Sequence, residues 1–448
     1  MRYAILVLIV LLVALPACSS DGSSGDDDTD TGADTDADSD TDTDADSDTD
    51  TDDDTDTETI PDDAIHLDPV SGSLDGDGTA EDPWPGLEEV VSSGLMEQVE
   101  PGDWLVLHDG LHGDVSLAGD NADFITVARA PGEFPQLERL VITQGSRWLI
   151  RGLTISPSFA SEPYSGTIVS IGESGDSSEL IVEGCFVYTE LDSSGWSADE
   201  WMQANSGVLL GRYGTQLTLR STHILNTRFG VSITSFDSLC EGNLIANFSA
   251  DGMRVTRDGS TVEDNVIKNV YVGADDGDDN HDDAIQCFLF NVGTGTVTDV
   301  TVRGNVVVAR EDDAQPFPAS LQAIGFFDGP LVDFLVEDNV ILTNHWHGVS
   351  LYDAQGSSIL NNVCYTRWTD GLEPWVMLGE KQDLADGNTV TGNYAHSFNF
   401  DADPNVTASD NEPVTEEIFE TRFAERLAEI SALYGDTHPV SGQPWVTP

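Results

Sequence analysis

Basic residues are scarce in this chain. Seventeen Lys and Arg stand against 82 Asp and Glu over 448 residues, a formal net charge of −65. Only two of the bases are lysines, Lys268 and Lys381. Nucleic acid is excluded as a partner, because its binding needs a basic footprint. Docking on anionic lipid through surface charge is disfavoured for the same reason. Long apolar runs are also lacking. Ala4 to Leu15 is unbroken, but it is too short to span a bilayer and suits the core of an export signal behind the positive Met1-Arg2. Cysteine is rare as well. Beyond Cys18 there remain Cys185, Cys240, Cys287 and Cys364. Their even number permits disulfides in an exported chain.

The export signal ends in Leu15-Pro16-Ala17-Cys18-Ser19-Ser20. Leu, a small residue, then Cys resembles the bacterial lipobox, which implies cleavage before Cys18, lipidation of its thiol and stable membrane anchoring. Cleavage near Ala17 as an ordinary signal peptide is the alternative. Ser19 after the cysteine resembles the outer-membrane sorting pattern, so the expected place is the bacterial outer membrane or cell surface. Asp21 to Asp63 then alternates Asp with Thr, Ser and Ala and holds 21 acids and no base. Such a tract cannot bury enough apolar surface to order itself, and its charges extend it. The expected domains are a signal peptide and lipobox (1–18), a disordered tether (19–63), a folded part (64–400) and a C-terminal tail (401–448).

What is abundant is a repeat. An apolar residue, two small or polar residues, one special position and two mostly apolar residues recur as "IRGLTI" (150–155), "VEGCFV" (182–187), "LRSTHI" (219–224), "CEGNLI" (240–245), "VEDNVI" (262–267), "VRGNVV" (302–307), "VEDNVI" (336–341), "ILNNVC" (359–364) and "VTGNYA" (390–395). The special positions are Leu153, Cys185, Thr222, Asn243, Asn265, Asn305, Asn339, Asn362 and Asn393, and the shortest spacings are 21 to 23 residues. A second alternating strand precedes each later motif: "GVSIT" from Gly230, "GMRVT" from Gly252, "AIQCF" from Ala284, "AIGFF" from Ala323 and "GVSLY" from Gly348. Several short strands per unit, with Gly and Asn at corners, predict an all-β fold: a single-stranded right-handed parallel β-helix, a solenoid whose Asn residues stack into an internal ladder. Cys240 and Cys287 fall on inward positions and Cys185 in the ladder, which favours buried free thiols over bridges.

"GSLDGDGTAEDPWPGLEEVV", "VEPGDWLVLHDGLHGDV" and "ADFITVARAPGEFPQLERLVITQGSRWLIRGLTI" resemble the opening of right-handed β-helix proteins related to polysaccharide lyases of the chondroitinase B and alginate lyase type. The resemblance covers roughly Leu67 to Asn399 and implies a short N-terminal helix capping the first coil. That family's Asn/Glu/Glu calcium set with its Lys and Arg pair is not visible here. At the other end, Glu416–Gly435 places Ile418, Phe419, Phe423, Leu427, Ile430 and Leu433 on one helical face. The expectation is a C-terminal capping helix on the last coil.

The long insertions, Tyr188–Ser206, Asn269–Asp282 and Ala309–Ser320, with a shorter one at Thr366–Leu372, all follow the ladder position and precede the next strand. They should project from one edge. Along that edge the residues before each second strand stack as Phe229, Asp251, Asp283, Gln322 and His347. The next outward row reads Ser232, Arg254, Gln286, Gly325 and Ser350. Candidate catalytic residues are Asp251, Arg254, Asp283, His281 and His347, with Lys268 as a further possible base. Gln286, Gln322 and Trp346 are candidate substrate contacts, an indole being a usual platform for a sugar face. The acidic stretch supplies Asp275, Asp276, Asp278, Asp279 and Asp282 as oxygen ligands for calcium.

Three functions fit. A polysaccharide lyase or uronate epimerase would neutralise the substrate carboxylate and hold a base nearby. A glycoside hydrolase would pair Asp251 with Asp283, about 5 Å apart on neighbouring coils. A non-catalytic glycan-binding adhesin would use the same groove. Residues 64–448 carry 61 acids against 16 bases, and that charge favours a neutral glycan unless calcium bridges an acidic one. The expected partners are polysaccharide and, through Cys18, the membrane. The protein is expected to be a monomer.

Overall fold

A computed structural model describes residues 60–273, 281–287, 295–369 and 372–447. The signal segment, nearly all of the tether and Asp275, Asp276, Asp278 and Asp279 lie outside the described residues. From Ile65 to Pro413 the chain winds as a parallel solenoid with three walls. The first wall stacks Ser206–Leu210, Val231–Ile233, Met253–Val255, Asp283–Cys287, Gln322–Phe326, His347–Tyr352 and Trp375–Gly379 in parallel register. The second stacks Thr218–Arg220, Leu239–Glu241, Thr261–Glu263, Thr301–Arg303, Leu335–Glu337, Ser358–Leu360 and Thr389–Thr391. Near the N-terminus the long strands Asp114–Arg129 and Arg139–Arg151 bend through both walls. The third wall is an 11-stranded sheet including His223–Thr227, Leu244–Phe248, Val266–Val270, Val306–Val308, Val340–Leu342 and Val363–Tyr365.

Each wall sends alternate side chains inward, so identical register positions pile into apolar columns. Val208, Val231, Met253, Ile285, Ile324, Val349 and Val376 form one; Leu219, Cys240, Val262, Val302, Val336, Ile359 and Val390 form another. All lie at or near zero exposure. The four described cysteines are free and buried, and burial pushes the Cys185 thiol up to about 12, beyond the range where thiolate chemistry operates.

The asparagine ladder forms between the second and third walls. Each backbone N–H donates to the side-chain oxygen one coil on: Thr222 to Asn243 (3.0 Å), Asn243 to Asn265 (3.0 Å), Asn265 to Asn305 (3.1 Å), Asn305 to Asn339 (2.9 Å), Asn339 to Asn362 (3.1 Å) and Asn362 to Asn393 (2.9 Å). Each ladder amide also donates to a second-wall carbonyl, as Asn265 does to Cys240 O (3.0 Å). The stack runs one step further than the repeat suggested, to Asn411 (3.1 Å), and strands continue to Pro413 rather than ending near 400. The turn requires a left-handed residue just before each rung. Gly242, Asp264, Gly304, Asp338, Asn361, Gly392 and Asp410 all sit at φ between 54° and 73°. Glycine and the short polar residues tolerate that conformation, hence the recurring "GN" and "DN".

The helix α1 (Leu87–Ser93) buries Leu87 and Val90 against the first coils, as expected of a cap. In the first long insertion, α2 (Ala198–Gln203) begins with a Ser197–Glu200 capping box and stacks Trp201 on Tyr271 at 4.2 Å. At the C-terminus α3 (Glu416–Tyr434) does not cap the last coil. It lies lengthwise on the outer face of the third wall, against Val363–Tyr365, Val340–Leu342 and Val306–Val308. Phe419 and Ile430 are buried there, whereas Leu433 is 63% exposed and Tyr434 takes the inward place. The physical reason is the wall itself. Its outward residues Leu244, Val266, Val306, Val340 and Val363 are apolar and fully or nearly fully buried, so this sheet needs covering on both faces.

Candidate functional site

The outer face of the first wall is polar where the third is apolar. Its outward row is in register as Leu209, Ser232, Arg254, Gln286, Gly325, Ser350 and Met377. Four strands of this wall, at Ser206, Asp283, Gln322 and Trp375, begin at or shortly after the insertions. At its N-terminal end Arg212, Arg254, Ser232, Thr234, Thr256, Leu209 and Glu173 line a cavity of ≈ 300 Å³.

Midway along this face the structure brings together four of the expected residues. Asp283 starts the strand Asp283–Cys287 and is fully buried. Its Oδ2 lies 2.7 Å from Nδ1 of the half-exposed His281 and accepts from Gln286 Nε2 at 2.9 Å. Its Oδ1 is buried without a hydrogen-bond partner, in a notch left by Gly325; a Cβ there would come within 2.6 Å of that oxygen and 2.4 Å of the Phe327 ring. Desolvation pushes the Asp283 carboxyl up to about 8. The hydrogen bond from His281 to that carboxylate raises the imidazole as well. The same hydrogen bond opposes the desolvation of Asp283, so each group favours the charged form of the other across the 2.7 Å contact. Arg254, the register partner of Gln286, lays its guanidinium 3.8 Å above the Phe229 ring.

Asp251 does not open onto this face. It is fully buried, its Oδ1 accepts the Asp283 N–H at 3.1 Å and its Oδ2 pairs with Arg254 Nε. It therefore positions Asp283 and Arg254 and is not a second acid across a groove. The two carboxylates are close enough for the Asp251 charge to raise Asp283, but both are fully buried, so they do not stand as the exposed acid pair expected of a glycoside hydrolase. Lys268 is also removed from the site. It lies on the third wall, 3.1 Å from Glu311, with burial lowering its pKa.

His347 lies across Phe327 from His281; the two imidazoles meet that ring edge-on at 5.1 and 5.6 Å. Burial lowers His347 to about 4, and its Nδ1 contacts Ser350 Oγ at 2.7 Å. Behind it His345, lowered by burial to about 3, accepts the His347 N–H. Burial keeps both rings neutral near pH 7, whereas the carboxylate beside His281 shifts that ring in the opposite direction. Trp346 is 42% exposed and stacks parallel on Trp375 at 5.6 Å. Gln322 is the register partner of Asp283 and half-buried. Reading the sequence placed Ser350 in the outward row but missed Trp375 and Phe327. Trp375 pairs in register with His347, and "EPWVML" repeats the strand pattern closely enough to have placed it there.

Asp282 is 2% exposed, and among the described residues no group of three or more His, Cys, Asp or Glu side chains is arranged to hold a metal ion. Four of the five calcium candidates, Asp275, Asp276, Asp278 and Asp279, fall outside the described residues.

Residues 206–375 match the family model described as a right handed beta helix region. No curated protein matches the chain. Similar solved structures include XylC in complex with xylose (9% identity, 74% of this chain and 75% of that one, TM-score 0.47). A GH136 lacto-N-biosidase from Eubacterium ramulus gives 13% identity over 79% and 67% of the two chains at a TM-score of 0.48. A mannuronic acid specific polysaccharide family 6 lyase from human gut microbiota gives 14% over 70% and 64% at 0.43. The parallel winding and its asparagine ladder, with the family match over residues 206–375, establish the fold as a right-handed parallel β-helix.

Proposed function

We propose that this is an exported, lipid-anchored protein that acts on extracellular polysaccharide along its first wall, by acid–base chemistry on a uronate-containing chain. The observation that carries the reading is the His281–Asp283 dyad, a half-exposed imidazole held at 2.7 Å by a fully buried carboxylate, in the middle of the outer face of the first wall. Asp283 orients the ring through Nδ1, which directs Nε2 as the acid–base atom. The base takes the proton from the carbon beside the sugar carboxylate. The electron pair then forms a double bond and expels the glycosidic oxygen, or the carbon is reprotonated on its other face. Neutralising that carboxylate falls to Arg254, one coil away, with Arg212 beside it in the same cavity. These cations answer in part the repulsion an acidic polymer meets from the rest of the chain. Trp346 supports a sugar ring further along. Calcium at the acidic loop would add charge neutralisation there; that loop contributes Asp275, Asp276, Asp278, Asp279 and Asp282.

The test is incubation of the purified protein with polyuronates and with neutral glycans, reading ultraviolet absorbance of unsaturated sugar and the epimer ratio by NMR. Turnover of a polyuronate that disappears in His281→Gln, with the fold intact, supports the reading. Polymer binding without turnover in the wild type would replace it with a glycan-binding surface protein.

A further inference from the structure

Beyond α3 the chain does not stop at the third wall. It doubles along it as a strap, residues 435–447, over the strands nearer the N-terminus. Tyr434 fills the space above Gly242, His438 lies over His223 at a ring-centroid distance of 5.5 Å, and Val440 reaches Gly184. Pro444 O accepts from Lys268 Nζ at 3.3 Å, the Thr447 N–H donates to Glu311, and Trp445 is 3% exposed with its Nε1 bonded to Gly435 O at 2.8 Å. His223 and His438 are 1% and 0% exposed. Both ring nitrogens of His223 and Nε2 of His438 are buried with no hydrogen-bond partner. Of the four ring nitrogens only His438 Nδ1 has a hydrogen bond, accepted from the Val440 N–H at 3.4 Å, so hydrogen bonding accounts for neither His223 nor the outer nitrogen of His438 in this seam.

We propose that residues 435–447 are an acid-released strap, latched over the third wall by the buried pair His223 and His438. The groups around the pair give it nowhere to place a positive charge. His223 stacks on Phe186 at 4.9 Å on one side and has Leu244 as its register partner on the other. His438 meets Trp445 at 5.0 Å. The nearest ionised group is another cation, Lys268, whose countercharge Glu311 it already holds at 3.1 Å. Burial accordingly holds His223 well below its ordinary range and His438 at about 3. Release into water returns both to about 6.5. The sign follows: the closed strap binds fewer protons than the open one. Closure is complete above pH 6.5 and weakens as pH falls below it. Opening uncovers His223, 1% exposed beneath His438, to water or to a partner.

Hydrogen exchange on the full chain tests this, with rates converted to protection factors so that the intrinsic pH dependence of exchange drops out. The reporter is the Gly442 amide, which donates to His438 O at 2.9 Å. The control is the Asn305 amide in the ladder. Each histidine that must charge on opening gives about a tenfold loss of protection per pH unit below 6.5, so two give up to about a hundredfold. The Asn305 amide should hold its protection over the same range. His438→Phe and His223→Phe keep an aromatic ring in the seam, and each should remove about a tenfold share of that slope. Strap protection independent of pH in the wild type overturns the proposal without recourse to any variant. So does a slope left unchanged by both substitutions, or one that the Asn305 amide shares.

Discussion

Asp283 gains its properties from neighbours that are distant in sequence. Asp251 holds its backbone, Gly325 leaves the notch for its second oxygen, and Gln286 and His281 hold the first. Under the proposed chemistry His281 must be neutral to accept a proton. Its raised pKa therefore places the acid limb of the pH–rate profile above 6.5. Asp283→Asn removes the carboxylate that raises it. The limb should move to lower pH, and turnover should fall about 10²- to 10⁴-fold, the usual share of general acid–base catalysis. An unmoved limb would show that some other group titrates. A second residue-scale prediction concerns the ladder. Asn305→Ala strips the acceptor from the buried Asn265 N–H and the donor from Val262 O. Leaving such groups unpaired costs about 1–3 kcal/mol, which denaturant melts would read as an earlier midpoint with unchanged slope.

At the scale of the element, the sequence holds a sign that the third wall is covered. After each rung come two or three apolar residues in succession, "NVVV", "NVIL", "NVCY", and the alternation of the other walls is lost. A strand apolar on both faces must be buried on both. The amphipathic face of α3 was readable at Phe419, Phe423, Leu427 and Ile430. Where it docks was not readable, because an apolar stripe fits an open end coil as well as a side wall. Phe419, 3% exposed and stacked on Tyr365 at 4.9 Å, fixes its start. Phe419→Ala should cost about 3–5 kcal/mol of stability and lower the Tm by thermal melting. If α3 instead capped the end, the loss would be confined to the last coil, and exchange of the Val306–Val308 amides would not change.

For the whole molecule, the lipobox-like run and the acidic charge each motivate a prediction. If Cys18 is lipidated, Cys18→Ser should move the protein from the membrane to the soluble fraction on cell fractionation; unchanged partition would remove the anchor. If the acidic loop holds calcium, residues 64–448 should gain about 2.7 kcal/mol in a hundredfold excess of calcium over its dissociation constant. Thermal melts in calcium and in chelator would show this, and converting Asp278, Asp279 and Asp282 to Asn should abolish the shift. The tether must be absent, since its aspartates attract cations unspecifically.

The sequence by itself determined the winding. A solenoid coil meets the same neighbours at every turn, so its period, its left-handed corner residue and its inward asparagine are written locally about every 22 residues and survive as a visible repeat. It also determined the rows of the first wall, because parallel register carries one coil's alternation onto the next. Tertiary structure alone decided what those rows do. Asp251 and Asp283 occupy equivalent corners with the same residue type, yet one is bound to Arg254 and a backbone N–H while the other is paired with His281. That difference arises from loops and neighbouring coils that no local pattern encodes. The meeting of His438 with His223 is likewise tertiary. It depends on the direction in which the chain turns after its last coil, and nothing within a single repeat records that direction.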